Sequence, residues 1–354
     1  MTTALATIFV LGVLVFLHEL GHFTVAKLVG IRVERFSLGF PPRLFGVKIG
    51  ETDYCVSLIP LGGYVKMAGM VDESLDTHIQ GEPWEFQSKN FWQKTAVILA
   101  GPVMNYLLAI VIFAGLTLSL GVGVTKDATI SQVSPGMPAQ AAGIQPGDKI
   151  VAINGHPIKT WDEMTQLIHG NPDKDITVVW VHNGERRTAV IHTKAENVPI
   201  GGKIERVGLI GIAPKTYLVK VSPFKAIEAG WTRTWELTEL VGNSLVMLVT
   251  GKASLRNLGG PIIIAKMAGE SAKSGFSTLL AFMAFISLNL AILNILPIPG
   301  LDGGHMIFIV TEAIIGKPVP TKTKLIVQQV GMFILLALIV LVVFNDLHNI
   351  HLIK

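Results

Sequence analysis

An apolar run from about Ala4 to Leu28, long enough to cross a bilayer, carries three ionisable side chains within five residues: His18, Glu19 and His22. Such groups at mid-bilayer cost about 2.5–3.5 kcal/mol each on insertion scales, so this cluster reads as functional rather than incidental. In Phe16-Leu17-His18-Glu19-Leu20-Gly21-His22-Phe23 the two histidines lie four apart. On a helix they share one face, where both imidazoles can hold one Zn²⁺ while Glu19 serves as general base toward a water at the metal. A polar cluster that only packs helices together would explain one His–Glu pair but not the zinc spacing.

The rest of the chain fits the same medium. Half of its 354 residues are hydrophobic and only 15% are charged, and its mean hydropathy is +0.54. This is a multispan membrane composition. Further stretches long enough to span run from Ala96 to Leu120, Thr278 to Leu296 and Leu325 to Phe344. No Lys or Arg precedes Lys27, so the first segment lacks the charged region of a secretory signal and is expected to stay as an anchor. Lys27, Arg32, Arg35, Arg43 and Lys48 crowd its C-terminal flank, which places the N-terminus outside and residues 30–94 inside. The central polar stretch then lies outside, and the loop with Lys317, Lys322 and Lys324 inside. The basic residues are largely juxtamembrane, with no aromatic-interleaved stripe to suggest nucleic acid. The single Cys55 excludes an intrachain disulfide and suits a reducing compartment.

On the inner side, Asp53 to Pro60 and Tyr64 to Met67 are β-prone runs flanking Gly62-Gly63, which predicts a hairpin over about 52–66. Its apolar character suggests that it dips into protein or membrane, which requires its backbone groups to be paired or to line a wet cavity. From Ala128 to Thr193 the pattern is a small α/β domain, with strands Thr129 to Val133 and Lys149 to Ile153, the turn Asn154-Gly155, and a helix from Thr160 to His169. Two more strands flank the hairpin signal Asn183-Gly184. The stretch Ala142 to Ile158 resembles a PDZ domain, a module that binds peptides by strand addition. Gly208-Leu209-Ile210-Gly211-Ile212 is either a source of amides for a peptide C-terminus or an ordinary closing strand. Leu237, Leu240, Val241, Ser244, Leu245 and Leu248 recur at helical spacing, predicting an amphipathic, membrane-associated segment.

A two-histidine zinc site needs a third protein ligand. Asp302 and His305 stand at the inner end of the third span, after Pro297 and Pro299, and Glu312 is a weaker rival. On chemistry alone the choice stays open. The HELGH in the first span, the Asn294-to-Asp302 run ending in Leu301-Asp302-Gly303, the Gly101-Pro102-Val103-Met104-Asn105 segment and the PDZ-like domain together resemble the bacterial site-2 proteases. The likeness is to the regulator of sigma-E protease group, over nearly the whole chain. It implies an intramembrane zinc metalloprotease in which His18, His22 and Asp302 bind Zn²⁺ and Glu19 is catalytic. It also implies that Asn289 and Asn294 hold substrate and that 52–66, with Tyr54, Val56 and Leu58, is a membrane-reentrant β-hairpin. Expected substrates are single-span membrane proteins, such as anti-sigma factors or signal-peptide remnants, cut in regulated intramembrane proteolysis. Two departures stand out: one PDZ-like domain where the enterobacterial form has two, and Gly39-Phe40-Pro41-Pro42 in place of a glycine-phenylalanine-glycine pattern.

The expected architecture is therefore a multispan α-helical membrane protein of about four transmembrane helices with an inserted α/β PDZ domain. Its parts are a first span with HELGH (1–30), an inner loop with the reentrant hairpin (31–94), a second span (95–124) and the PDZ domain (125–214). An amphipathic region (215–276), a third span with the LDG (277–304), an inner loop (305–324) and a fourth span (325–346) follow. The expected setting is a bacterial inner membrane, with the active site toward the cytosol, and partners are lipid, membrane-protein substrates and peptide C-termini. The rival readings are a membrane-anchored PDZ adaptor with an inactive metal site, and a metal transporter, against which stands the lack of any polar relay in the outer half of the spans.

Overall fold

The computed structural model describes residues 2–71, 79–200, 203–253 and 259–349. The chain forms two compact units, one made of Met1–Leu116 with Ile227–Lys354 and the other of Thr117–Ala226. In chain order the first unit begins with α1 (Thr2–Leu28), β1 (Val33–Ile49), β2 (Thr52–Met67) and α2 (Phe91–Leu120). Among the described residues four helices are long and apolar enough to cross a membrane: α1, α2, and near the C-terminus α7 (Phe276–Ile295) and α9 (Thr321–Asn349). They correspond to the four stretches expected from hydropathy.

Helix α1 crosses α2 closely. A Cβ on Gly21 would run into the main chain of Ala100, so glycine there is what lets the two backbones touch. Below the crossing, Phe16, Leu20 and Phe23 of α1 pack on Phe36 and Val65 of the β1–β2 sheet. The rings of Phe23 and Phe36 meet edge to face at 5.2 Å, and Phe23 and Tyr54 at 5.8 Å.

The sheet itself differs from the expected hairpin. Its tight turn is at Gly50-Glu51, between Ile49 and Thr52, and not at Gly62-Gly63. Residues 43–49 fold back on 52–57, while 33–38 lie between the two halves of β2: Phe36 faces both Val65 and Tyr54, and Ser37 both Tyr64 and Cys55. The Gly-Gly pair looked like a turn because it is locally permissive, but Gly63 is instead a strand residue opposite Leu38, and its lack of a side chain serves close packing. Gly39-Phe40-Pro41-Pro42 falls where the register shifts, between Leu38 opposite Val56 and Arg43 opposite Ser57.

The second unit contains β3 (Val122–Val133), α3 (Pro138–Ala141), β4 (Lys149–Ile153), β5 (His156–Pro157), α4 (Trp161–His169), β6 (Asp175–His182), β7 (Glu185–His192), β8 (Lys194–Ile200), β9 (Lys203–Leu209) and β10 (Ile212–Val219). The sheet order is β10-β3-β4-β6-β7, with β5 on β4 and β8 paired to β9 as a separate ribbon. Thr160 caps α4 with a full capping box to Glu163. Asn183 and Gly184 both take positive φ, as the two-residue turn from β6 to β7 demands. Ile130, Ile150, Ile153, Met164, Ile176 and Trp180 fill its core. Gly208-Leu209 ends β9 and Ile212 opens β10, so this run is split by a turn rather than being one closing strand.

The C-terminal part adds α5 (Pro223–Val249), α6 (Pro261–Ser274), α7, α8 (Asp302–Ile315) and α9. Of the residues read there as an amphipathic stripe, Leu237 and Val241 are buried and Leu240 is exposed, and Phe224, Ile227, Trp231 and Trp235 lie exposed along one face of α5. The third span ends at Ile295, and the segment expected to be an inner loop after His305 is helical instead. Asp302 opens α8 and a left-handed Gly316 closes it. Lys94 from α2 and Lys324 from α9 grip its Glu312 at 3.1 and 2.6 Å, all three side chains being nearly buried.

Candidate metal centre

Three side chains converge from α1 and the start of α8. His18 Nε2 lies 3.1 Å from His22 Nε2 and 3.2 Å from Asp302 Oδ2, and His22 Nε2 is 3.4 Å from Asp302 Oδ1. Donors about 2.0–2.1 Å from a tetrahedral Zn²⁺ stand about 3.3 Å apart, so these edges match those that a shared four-coordinate cation would require. The donor chemistry agrees, with two imidazoles and one carboxylate. Room agrees as well: a Cβ at Gly101 of α2 would overlap His22 Nε2 and lie 2.7 Å from His18 Cε1, so only glycine leaves the cradle open. Asp302 Oδ2 is buried with no hydrogen bond of its own.

Helix geometry explains the first two ligands, because residues four apart on α1 share a face. The third comes from a break: Pro297 and Pro299 cannot continue α7, and the chain turns so that Asp302 starts α8. His22 is oriented by α2. Its Nδ1 donates to the carbonyl of Val97 at 2.8 Å, which leaves Nε2 to face the other ligands. Pro102 has no N–H to give α2, so the carbonyl of Ile98, next to Val97, lacks its usual helical partner.

Glu19 lies beside the ligand cluster, with its Cγ 3.3 Å from where a Cβ of Gly63 would stand. The main chain of Val65 faces its carboxylate. The 63–65 segment of β2 therefore runs directly past Glu19, and on its side away from Phe36–Leu38 it pairs with no strand among the described residues.

Other sequence-selected residues are placed less centrally. Asn294 Nδ2 is 3.5 Å from His18 Nε2, whereas Asn289 spends its amide on the carbonyl of Phe285 within α7, at 2.7 Å. Tyr54 and Val56 lie in the middle of the sheet, opposed on one side by Phe36 and Leu38 and on the other by Val47 and Phe45. Their backbones are occupied, so they do not form the free edge that a hairpin over 52–66 would have offered. Leu58 is exposed near the tip. His305 is buried outside the ligand cluster and lines a small cavity with Phe86 and Glu312. Glu312 is held by its two lysines. Sequence reasoning did not assign Val97, Gly101 or Asn105 to the site, although a proline inside an apolar span was a signal that α2 is irregular there.

Residues 6–338 match the model of peptidase family M50. The zinc metalloprotease RasP of Geobacillus kaustophilus is 32% identical over 415 aligned positions, covering 97% of this chain and 97% of its own. RasP of Oceanobacillus iheyensis is 30% identical and covers 99% of this chain and 100% of its own. A relative in Clostridium perfringens reaches 40% over 339 residues, 94% of this chain and 95% of its own. Among solved structures, the PDZ domain of an SdrC-like protein of Listeria monocytogenes aligns with 26% of this chain and 93% of its own, at 24% identity and TM-score 0.21.

Proposed function

The chain belongs to peptidase family M50 and is a zinc metalloprotease, and on that premise we propose that it cuts its substrates within the membrane. Its reaction is hydrolysis of peptide bonds in or beside the transmembrane helices of single-span membrane proteins, the class that includes anti-sigma factors and signal-peptide remnants. The observation that carries this reading is the meeting of His18, His22 and Asp302 on membrane-length helix α1 and the turn that follows α7. These three hold the zinc, which when bound polarises a scissile carbonyl and acidifies water.

The protein's own groups do the rest. Glu19 takes a proton from the attacking water and delivers it to the leaving amine. Asn294, beside His18, offers its amide to the substrate strand or its developing oxyanion. A helical substrate has its carbonyls tied up internally and must be unwound first. The outer edge of 63–65, which pairs with no strand among the described residues, then supplies main-chain partners to the extended segment, next to Glu19, in a medium where unpaired groups are costly. The far end of the sheet enters the membrane: Leu44, Phe45, Val47 and Ile49 are consecutive or alternate along 44–49 and exposed, Phe45 to 64%. The PDZ-like domain takes peptide C-termini on the outer side, and the membrane is the bacterial inner membrane.

Metal analysis coupled to cleavage of a single-span substrate tests the assignment. Wild type is expected to carry zinc and cleave; Asp302→Ala loses both, while His305→Ala keeps its metal. Normal zinc in the first with loss in the second would move the ligand role to His305. Folded, zinc-loaded wild type that binds peptides without cutting them would favour a PDZ adaptor.

A further inference from the structure

His18 has no main-chain carbonyl behind it. The group facing its Nδ1 is the side-chain amide of Asn105, one turn beyond Gly101 on α2, at 3.4 Å. Asn105 is 1% exposed, and its Oδ1 is buried without a hydrogen-bond partner. The hydroxyl of buried Ser287 on α7 holds the Asn105 main chain in place, donating to its carbonyl at 2.8 Å. An amide placed with its NH₂ toward His18 would need Nδ1 as acceptor and would put the ring proton on Nε2. That is the nitrogen that faces His22 and Asp302, so this tautomer cannot ligate a metal. The two ends of an amide are equivalent in shape. Turned by half a rotation, the orphaned oxygen accepts from His18 Nδ1–H and the Nε2 lone pair is freed toward the other donors.

We propose that Asn105 is a positioning residue of the metal centre: its side-chain carbonyl accepts the Nδ1–H of His18 and fixes the ligating tautomer. It does for His18 what the Val97 carbonyl does for His22, so α2 supplies the outer partner of both imidazoles. The inference rests on the reading of His18 as a metal ligand. Its weight comes from a fully buried polar side chain with an unused acceptor beside the one ring nitrogen that needs one.

The test is zinc affinity of the full-length protein in detergent, measured by chelator competition, with unfolding of the metal-free protein followed in parallel. Asn105→Leu, which keeps volume and removes the acceptor, is expected to bind zinc about 10–100-fold more weakly. Asn105→Asp retains an acceptor of the same reach and is expected to bind within about threefold of wild type, since carboxylate–histidine–zinc arrangements are effective. Asn105→Ala gives the same loss as leucine and replaces it if the leucine variant does not fold. Unchanged zinc affinity in Asn105→Leu or Asn105→Ala overturns the proposal. Equal weakening in the Asp and Leu variants also overturns it, because packing alone would then be at stake. His18→Ala separates the two levels: undiminished zinc there would sink the ligand assignment itself, whereas loss there with normal affinity in the Asn105 variants would sink only the positioning role.

Discussion

Glu19 and His18 are adjacent in sequence but point to different neighbours. His18 faces His22, Asp302 and Asn105, and Glu19 faces the backbone of β2 at Gly63 and Val65. Removing the base therefore leaves the ligand set whole. Glu19→Gln is expected to retain zinc and fold while turnover falls by about 10²–10⁴-fold, the range for a lost general base. Comparable turnover by this variant in a single-turnover assay would take Glu19 out of the mechanism. Gly101 poses the opposite problem. In the interior of a helix, alanine is favoured over glycine by about 1 kcal/mol, so Gly101→Ala ought to stabilise α2 if propensity decided the outcome. Its methyl, however, would occupy the space of both imidazoles. Loss of zinc with undiminished helix content is expected, read by metal analysis and circular dichroism, and full zinc occupancy would show that the cradle is looser than its geometry.

Elements reach the site by contacts of two kinds, local ones visible in the chain and distant ones that are not. The His18–His22 pair was legible because four residues on a helix fix a shared face. Asp302 was not separable from His305 or Glu312 on chemistry, and only the resemblance of its motif chose it. What sets Glu312 apart is Lys94, 218 residues away, together with Lys324. No local pattern announces such a pairing. Replacing Glu312 would leave two nearly buried lysines without a counter-charge, a change that costs about 3–5 kcal/mol in comparable cases. Glu312→Gln is thus expected to lower the unfolding temperature yet keep zinc, and zinc loss without destabilisation would return Glu312 to the ligands. Register in the β1–β2 sheet was misread for the same reason. Gly62-Gly63 is a good turn by local rules, but 33–38 insert between the two halves of β2. Its exposed rim carries its own test. Phe45→Lys with Val47→Lys places two charges where each costs about 2.5–3.5 kcal/mol at mid-bilayer. Cleavage of a helical membrane substrate should fall several-fold while an extended, detergent-soluble peptide is cut as before. Equal losses on both would mean that the sheet supports the active-site fold and does not enter the membrane.

At the scale of the whole molecule, hydropathy alone found the four membrane-length helices, since about 20 apolar residues have few other uses. The helices α6 and α8 were not anticipated, being too short or too polar for that signal. Charge sets the remaining question, which is the side of the membrane each part occupies. Lys27, Arg32, Arg35, Arg43 and Lys48 follow the first span within the range where basic residues fix orientation. On that clustering rests the proposal that 30–94 lie in the cytosol and, after α2 has crossed, the PDZ-like domain outside. The single thiol makes this measurable, because Cys55 is buried and can be replaced without adding a charge. In a Cys55→Ser background, a cysteine introduced at Gly170, the residue that caps α4, is expected to react with a membrane-impermeant maleimide in intact spheroplasts. A cysteine at Gly50, in the turn of the β1–β2 sheet, is expected to react with it only after permeabilisation. Protection of position 170 in intact cells with labelling after lysis would invert the topology, and with it the side from which substrates reach Glu19.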